Sequence, residues 1–499
     1  MQRPEPLPIP PPSLLASPVL AIVALVSLLV GCGEAPEPSA PEPPPVFEPL
    51  PADDGQHTVV PSGRLGRPDV VVILLDAARA DAFGAYGDPV PTPAVDALAA
   101  EGTRFGEALS PAPWTGASVP ALLTGLHPDA LGAEHWESRL PGSVRTLAER
   151  LAESGYATSV FSQHPIYGSN RPLLRGFETF VEAVGEPLDT LPTAAEMLDL
   201  EFEGPSFALV HLLPPHTPYE PPPPFLESLT GEPSEGIEAW LDGRPVDAPL
   251  LAEFPHRRKP DSLSPEALRF IRDRYRETVR WADSLVGRLV EELQAAERFD
   301  DALVIVLSDH GEAFLEHDYF MHTRQVYRES LHIPLVVKWP QGLEGFESVV
   351  GETVGLVDLV PTLIDGLGLA TGGGERFQGT SWLPRVFDRA PLRRSLVAST
   401  RGQARQHREP RASAMVELDG WTLVHEPGRG PSELYRLSDD PTQQHDLASS
   451  EPERRRFLER LLRDRRRAHA EVRRQLGGGG DATPLDAETE AELEALGYL

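Results

Sequence analysis

Acidic and imidazole side chains follow two apolar runs of this chain, at points where they could bind a ligand. Asp76 comes directly after the run at residues 70–75, and Asp309 and His310 follow the run at residues 303–307. If both runs are parallel strands, their carboxyl ends meet at the sheet edge where ligands of such folds bind. Two carboxylates and one imidazole there predict a site for a divalent metal ion. The alternative for each acid alone is a helix cap or a surface residue.

A third candidate is the hydroxyl of Thr115, in the segment PWTGAS at residues 113–118. A helix is predicted to begin just after Thr115, where free backbone amides and the helix dipole favour an anion. A hydroxyl bound to a metal ion can ionise and attack phosphorus or sulfur. Taken alone, however, a threonine at this position is an N-cap. The residues by themselves leave both interpretations open.

The elements that must position these side chains follow an α/β pattern. Apolar, β-branched runs typical of strands covered on both faces lie at residues 70–75, 158–161, 207–212, 303–307 and 333–339. Helices are predicted between them, at residues 92–102, 143–154 and 264–298. The last helix has an apolar stripe that we interpret as core packing, formed by Phe270, Tyr275, Val279, Ala282, Val286, Leu289 and Leu293. Strands alternating with helices predict a mostly parallel central sheet flanked by helices.

The later part of the chain has a different pattern. Residues 220–262 are rich in proline and acidic residues without a clear period, which indicates a surface excursion and a candidate lid. After about residue 391, short strands are predicted at residues 395–399, 413–418 and 421–425, followed by charged helices. We therefore predict a main domain at residues 67–390 and a smaller C-terminal α+β domain at residues 391–499.

Together these segments resemble the alkaline phosphatase/sulfatase superfamily, from residue 67 to residue 499 and in the family's order. The segments are LLDAARADAFGAYG (74–87), APWTGASVPALLTGLHP (112–128), HLLPPHTPY (211–219), SDHGEAFLEH (308–317), MHTRQVYRESLHIPL (321–335), VGLVDLVPTLIDGLGL (354–369), SELYRLSDDPTQQHDLA (432–448) and LDAETEAELEALGYL (485–499). The resemblance implies an alkaline phosphatase-like sandwich that hydrolyses esters with the help of a metal ion.

The resemblance also implies roles for individual residues. Thr115 lies at the family's nucleophile position. One divalent ion (calcium, manganese or zinc) is expected to be held by Asp76, Thr115, Asp309 and His310.

Two histidines complete the predicted catalytic set. His216 and His322 are expected to contact the substrate oxygens or to protonate the leaving group. The alternative for each is a structural histidine. His135, His164 and His317 are further candidates for the pocket, and Arg79 and Asp81 are predicted to form a structural ion pair.

Departures from the family pattern bear on the substrate. Sulfatases of this superfamily oxidise a cysteine or serine to formylglycine, before a Pro-Ser-Arg signature; here Thr115 precedes Gly-Ala-Ser-Val at residues 116–119. Threonine cannot form formylglycine, and the lysines that clamp sulfate are missing. Members with two metals have an aspartate where this chain has prolines 214–215, and many sulfatases have a second acid where it has Ala77. These departures favour a single metal ion.

The predicted function is hydrolysis of a phosphate-type ester of a small substrate, or transfer from it, through a covalent intermediate at Thr115. Two alternatives stay open. One is a sulfate-ester hydrolase that works without formylglycine. The other is a catalytically inactive lipoprotein that keeps the fold for binding.

The beginning of the chain predicts export. Residues 19–30 form an apolar run too short to span a bilayer, which ends in LVGC with Cys32, the only cysteine. This end resembles a bacterial lipobox, so residues 1–32 are predicted as a lipoprotein signal peptide, with lipidation at Cys32. Residues 33–66, rich in proline and glutamate, are predicted to be a disordered tether. The protein is expected on a bacterial membrane, facing periplasm or exterior; an ordinary signal peptide is the alternative.

Charge limits the possible partners. The chain has 45 lysines and arginines against 76 acidic residues, a formal net charge of −31. Such an acidic molecule repels phosphate backbones, which excludes nucleic acid as an expected partner.

Overall fold

The computed structural model describes residues 57–493 apart from 170, 201, 242, 244–245, 247–262, 373–374, 402–412, 429, 479–486, 488–489 and 492. All the described residues belong to one compact unit, Glu48–Leu499, and the other unit, Met1–Phe47, lies outside them. The predicted signal peptide, Cys32, most of the tether, the second half of the candidate lid and most of the closing segment also lie outside the described residues.

The largest element is an eight-stranded sheet with the order β12-β2-β11-β7-β1-β6-β4-β5. Its strands are β1 (Val70–Asp76), β2 (Thr103–Phe105), β4 (Ala157–Ser162), β5 (Thr179–Glu182), β6 (Ser206–Pro215), β7 (Leu303–Ser308), β11 (Leu335–Lys338) and β12 (Val349–Val350). Strands β7, β1, β6, β4 and β5 are parallel, and β11 is antiparallel to its neighbours. The predicted mostly parallel sheet is confirmed.

Three smaller sheets complete the strands. β3 (Ala108–Leu109), β10 (His332–Ile333) and β13 (Val354–Gly355) form one, and β8 (Ala313–Phe314) pairs with β9 (Phe320–Met321). An antiparallel sheet near the C-terminus is formed by β14 (Leu396–Thr400), β15 (Ser413–Leu418), β16 (Trp421–His425) and β17 (Glu433–Arg436).

Twelve α-helices are defined within the described residues. They are α1 (Pro93–Glu101), α2 (Thr115–Thr124), α3 (Pro128–Leu131), α4 (Leu147–Glu153), α5 (Ile166–Ser169), α6 (Ala194–Met197), α7 (Glu235–Leu241), α8 (Pro265–Ala295), α9 (Arg328–Leu331), α10 (Leu359–Leu367), α11 (Leu383–Asp388) and α12 (Pro452–Gln475). None of the helices in this part of the chain is both long and apolar enough to cross a membrane.

Strand β1 shows why the sheet is buried on both faces. Side chains alternate along a strand, so Val70, Val72 and Leu74 pack into one hydrophobic core. Val71, Ile73 and Leu75 pack into the other, against the predicted apolar stripe of α8. A continuous apolar run is therefore the expected sequence of a strand covered by helices on both sides.

Two sequence predictions about these elements are wrong. The start of the helix predicted at residues 143–154 is wrong: the helix is present but begins only at Leu147, because Thr146 and Glu149 form a capping box there. The single strand predicted at residues 333–339 is two short strands, β10 and β11, in different sheets. Pro334 lies between them, and its missing N–H cannot continue a ladder.

Candidate active site

The predicted metal ligands lie together at the carboxyl edge of the central sheet. β1 and β7 are neighbours, with Leu75 opposite Ser308, so Asp76 ends one strand where Asp309 and His310 leave the next. One ligand atom from each of Asp76, Asp309 and His310 lies within 4.8 Å of the other two. All three side chains are fully buried. Parallel pairing therefore brings together residues that are more than 200 positions apart in the chain.

Thr115 lies against this cluster. Its Oγ1 is 3.4 Å from Asp76 Oδ1, to which it can donate, and 3.2 Å from His310 Nε2. The helix begins one residue earlier than predicted: Thr115 is the first residue of α2, and Trp114 occupies the N-cap position. The N-cap alternative is wrong, since Thr115 lies inside the helix and its hydroxyl faces the ligand cluster. All four predicted ligands are thus in contact.

A glycine allows this tight first turn of α2. A Cβ at Gly116 would lie 2.2 Å from Cζ3 of the Trp114 ring. No other residue fits there without moving the indole, which packs edge-on against Trp136. The irregular Gly-Ala sequence after Thr115 therefore has a packing reason.

The residue after Asp76 has a strained backbone that connects the two strand ends. Ala77 has φ of 60°, in the left-handed region that non-glycine residues rarely adopt. This conformation lets its N–H donate to Asp309 Oδ1 at 3.2 Å. Its carbonyl accepts from the Tyr275 hydroxyl at 2.9 Å. Tyr275 of α8, predicted to be core packing alone, is buried in the core and also holds this turn.

Ser118 is a member of the site that the sequence interpretation missed. Its hydroxyl lies one turn after Thr115 and donates to the Trp114 carbonyl at 3.0 Å. The same oxygen is 3.4 Å from Asp309 Oδ2. The only sequence signal was its place in the segment that follows Thr115.

The electrostatics of the cluster suit a bound cation. Burial raises the pKa of Asp76 well above its usual range, and the nearby carboxylate of Asp309 raises it further. Asp76 Oδ2 is buried and makes no hydrogen bond within the described residues. Two adjacent buried carboxylates with an imidazole and a hydroxyl at ligand distance therefore fit a divalent ion, which would relieve the repulsion between the acids.

His216 and His322 lie beside the cluster, as predicted. The two rings are 5.0 Å apart between centroids, and the His322 ring is 4.4 Å from that of His310. Both side chains are buried. The residues on either side of His322, Met321 and Thr323, have φ of 62° and 83°. Such strain flanking one side chain indicates that its position is tightly held.

Glu312 holds His322 in place and was not found from the sequence. The carboxylate of Glu312 is 3.1 Å from His322 Nδ1 and accepts from the Tyr219 hydroxyl at 2.8 Å. Burial raises the pKa of Glu312 to about 7. Its position, three residues after Asp309 in SDHGE, was the only available signal.

Burial also keeps the surrounding histidines neutral. It lowers the pKa of His322 to about 4 and that of His216 to about 3, the second being lowered further by the first. Burial likewise lowers the pKa of His164 well below its usual range. At neutral pH each ring therefore offers one N–H donor and one nitrogen acceptor.

The remaining predicted residues fall into two groups. His164 Nε2 lies 3.9 Å from Asp76 Oδ2, at the edge of the cluster. His317 instead stacks on Tyr327 at 3.8 Å and contacts the Gln443 carbonyl at 2.7 Å, so its contacts are structural and the pocket prediction is wrong for it. The recorded hydrogen bonds of His135 are both with Ser138: its N–H donates to Ser138 Oγ at 3.1 Å, and its carbonyl accepts from the Ser138 N–H at 2.9 Å, so it has no recorded contact with the cluster.

The predicted ion pair between Arg79 and Asp81 forms, with 2.7 Å between Nη2 and Oδ2. Arg79 also pairs with Glu316 at 2.7 Å. We interpret these contacts as structural, because the guanidinium group of Arg79 is bound by the two acids Asp81 and Glu316.

The fold and the site define an α/β protein with a hydroxyl, two carboxylates and a histidine at the carboxyl edge of its central sheet. The family model described as Sulfatase matches residues 68–369, more than half of the chain. The chain therefore belongs to the sulfatase family. A second model, described as N-sulphoglucosamine sulphohydrolase, C-terminal, matches residues 315–468.

Related sequences are distant. An ulvan-active sulfatase of Formosa agariphila is 26% identical over 64% of this chain and 65% of its own length. An endo-4-O-sulfatase of Bacteroides thetaiotaomicron is 24% identical over 64% of this chain and 73% of its own length. The match therefore spans less than two thirds of the length of the ulvan-active sulfatase. An arylsulfatase K of Danio rerio is 27% identical over 40% of this chain and 38% of its own length.

Solved structures share the fold. The phosphonate monoester hydrolase of Agrobacterium radiobacter has a TM-score of 0.62 at 22% identity, covering 81% of this chain and 96% of its own. An enzyme solved with its substrate D-glucosamine-2-N,6-O-disulfate has a TM-score of 0.65 at 19% identity, covering 81% and 98%.

Proposed function

We propose that this chain cleaves a phosphate-type ester with Thr115 as nucleophile and one divalent ion at the cluster. A single observation carries the proposal. The Thr115 oxygen touches two members, Asp76 and His310, of the one group of three ligand residues found in the described part of the chain. A divalent ion held by Asp76, Asp309, His310 and Thr115 would lower the pKa of the hydroxyl and neutralise charge on the ester oxygens.

The chain's own residues supply the remaining steps. The Thr115 oxygen attacks phosphorus, and the bond from phosphorus to the leaving oxygen breaks with its electron pair on that oxygen. His216 or His322, a neutral ring before the reaction, takes up the proton that leaves the Thr115 hydroxyl and delivers it to the leaving oxygen. Water, or an acceptor alcohol, then attacks phosphorus and gives its proton to the same ring. The bond from phosphorus to the Thr115 oxygen breaks, and that oxygen regains the proton from the ring. Glu312 orients His322 through Nδ1, so the opposite ring nitrogen can serve the substrate.

The side chain at position 115 favours phosphorus over sulfur. A threonine carries no group that can be oxidised to formylglycine. The covalent ester formed on the Thr115 oxygen can therefore be released only by attack on its phosphorus or sulfur atom. The buried His216 and His322 are neutral, and their N–H groups can donate to the ester oxygens in place of the lysines that clamp sulfate in the sulfatases. The fold itself permits both chemistries, since phosphonate and sulfate ester enzymes are both among its structural neighbours.

A sulfate ester is the second candidate, and the family match supports it. The relatives named above include an ulvan-active sulfatase and an endo-4-O-sulfatase, whose names imply polysaccharide rather than small substrates. In this alternative the same Thr115 oxygen would attack sulfur.

The test is a panel assay of the full chain loaded with Mn²⁺, Ca²⁺ or Zn²⁺ on aryl phosphomonoester, phosphodiester, phosphonate and sulfate substrates. Turnover of a phosphorus ester, with a mass increase of one phosphoryl group on the Thr115 peptide after acid quenching, supports the proposal. Turnover of the sulfate ester alone would overturn it in favour of the second candidate. Turnover unchanged in Thr115→Val would reject the nucleophile.

A further inference from the structure

A cavity of about 570 Å³ lies between helix α12, strand β16 and the segment around α3. Among its lining residues are five arginines, Arg401, Arg463, Arg466, Arg467 and Arg473, and we call it the arginine cavity. Its volume is within the range of about 300–1,000 Å³ that small-molecule sites occupy.

The arginines outnumber the acids that line the same cavity, which are Asp129, Glu134 and Glu459. Arg401 and Arg473 share one carboxylate, that of Glu134, at 3.0 and 2.6 Å. Arg466 is 3.5 Å from Asp129, and Arg467 is 3.6 Å from the exposed Asp464. The structure records no ion pair or hydrogen bond of Arg463 among the described residues. Arg463 thus has no recorded counter-ion within the described residues, and the counter-ion of Arg467 is an exposed acid.

This excess of positive charge is local and opposes the rest of the molecule. A chain with a net charge of −31 repels anions over most of its surface. An anion is therefore expected to bind at a local excess of positive charge such as the arginine cavity. Guanidinium groups bind sulfate, phosphate and carboxylate through paired N–H donors.

The other lining residues suit a sugar ring. Leu423, Leu462 and Ala470 give the cavity an apolar part. His425 and Ser432 add polar groups, which lie 3.2 Å from one another. Apolar carbon surface beside hydroxyl partners and cations is complementary to a saccharide that carries anionic groups.

We propose that the arginine cavity binds an anionic saccharide, a sugar unit carrying sulfate or carboxylate groups. Binding there does not depend on the chemistry of Thr115.

Strand β14, which leads to Arg401, approaches the candidate active site. The Thr400 hydroxyl donates to the Thr323 carbonyl at 2.6 Å, and the Thr323 N–H donates to the Pro113 carbonyl at 2.9 Å.

The test uses a fully sulfated heparin tetrasaccharide, with an unsulfated tetrasaccharide as the neutral control, in calorimetric titrations of the full chain. The double variant Arg463→Gln/Arg467→Gln should bind the sulfated probe at least about tenfold more weakly, since two charge-assisted contacts are lost. The matched control is Arg460→Gln, because Arg460 is an exposed arginine of the same helix that does not line the cavity.

Equal binding by the double variant, an equal loss in Arg460→Gln, or no binding by the wild-type chain would overturn the proposal. Repeating the titration with Thr115→Val separates it from the proposed function, because that variant should bind the probe normally.

A second inference concerns His211, which lies on β6 between Leu74 of β1 and Ser162 of β4. Its side chain is fully buried, and neither ring nitrogen makes a hydrogen bond within the described residues. A buried polar group without a partner is rare and needs an explanation.

The carboxylate of Asp76 supplies an explanation. His211 Nε2 lies 3.3 Å from Asp76 Oδ2, the carboxylate oxygen that also lacks a hydrogen bond. The other oxygen, Oδ1, is 3.4 Å from Thr115 Oγ1 and 3.5 Å from His310 Nε2. The two oxygens of Asp76 thus face different partners.

The geometry points to His211 as a positioning residue that donates its Nε2–H to Asp76 Oδ2 and so keeps Oδ1 turned towards Thr115 and His310, where it would help to hold the ion. This inference rests on the metal site of the proposed function. Hydrogen bonds of this kind orient metal ligands, and their loss weakens metal affinity by about 10- to 100-fold.

The test measures Mn²⁺ affinity of the full chain by calorimetry, together with the thermal midpoint of the metal-free protein. His211→Leu should weaken Mn²⁺ binding by about 10- to 100-fold, and His211→Gln, which keeps an N–H donor, should restore most of it. Unchanged affinity in His211→Leu would overturn the inference. Two ions per wild-type chain and one in His211→Leu would also overturn it, making His211 a ligand. Failure of the proposed function alone would appear as normal Mn²⁺ binding without turnover of any phosphorus ester.

Discussion

At the scale of single residues, the candidate site depends on backbone turns that hold side chains from distant parts of the chain. The left-handed conformation of Ala77 directs its N–H to Asp309, so the two acids keep a fixed separation. The close contact of Gly116 with Trp114 fixes the first turn of α2, where Thr115 lies. Small residues beside the ligands are therefore part of the positioning.

Replacing Thr115 by valine should leave folding intact, because valine has nearly the same volume. If Thr115 is the nucleophile, turnover should fall by at least about a thousandfold. Thr115→Ser should retain partial activity, since the hydroxyl remains while the β-methyl that restricts its rotamer is lost. Steady-state rates with the best ester of the panel measure both. A valine variant as fast as the wild type would leave an activated water as the attacker.

Replacing Asp309 by alanine should remove the ion. Asp309 is one of three buried ligands, and it also accepts the Ala77 N–H. Elemental analysis after dialysis should find one divalent ion per wild-type chain and none in the variant. Asp464→Ala is the matched control, because Asp464 is an exposed acid on α12. Two ions per chain, or none in either protein, would contradict the single-site hypothesis.

At the scale of elements, the C-terminal sheet and helix α12 pack against the rest of the described chain through buried titratable groups. The rings of His127, just after α2, and His469 of α12 stack at 4.4 Å. On β15, the buried Glu417 accepts the Gly420 N–H at 2.8 Å, with Glu107 and Arg328 as charged neighbours. Burial raises the pKa of Glu417 from 4.5 to about 7.

The raised pKa of Glu417 predicts a pH-dependent stability. A raised folded-state pKa contributes stability that is fully present below pH 4.5 and is lost as pH rises through about 7. Glu417→Gln resembles the protonated acid, so the stability difference between wild type and variant should shift towards the variant by up to about 3 kcal/mol from about pH 5 to about pH 8. Urea unfolding at both pH values measures this. Parallel pH profiles for the two proteins would contradict it.

At the scale of the whole molecule, the predicted lipid anchor and residues 33–56 of the predicted tether precede the described residues and remain predictions. The last residues of the predicted tether, 57–66, are described and are ordered against the body: His57 pairs with Phe377, and Leu65 is buried in the core. The sequence LVGC at residues 29–32 predicts lipidation of Cys32, the only thiol. Growing cells with an alkyne fatty acid should label the wild type and leave Cys32→Ser unlabelled. Equal labelling of both proteins would reject the anchor, and the ordinary signal peptide would remain as the alternative.

Much of the fold could be predicted from the sequence because its determinants are local. Each buried parallel strand is a continuous apolar run, and the residue that follows such a run lies at the ligand-binding edge whatever the rest of the chain does. Asp76, Asp309 and His310 were found in this way, and their contact confirms the expected geometry. The family resemblance added Thr115.

Other features were decided only by the tertiary structure. His211, Glu312 and Ser118 reach the site through strand register and helix packing, which set distances between segments that no local pattern encodes. The second contact of Tyr275, with the Ala77 turn, depends in the same way on where α8 packs. Local periodicity determines which side of an element is buried, whereas the partner of a buried polar atom depends on contacts between residues far apart in the chain.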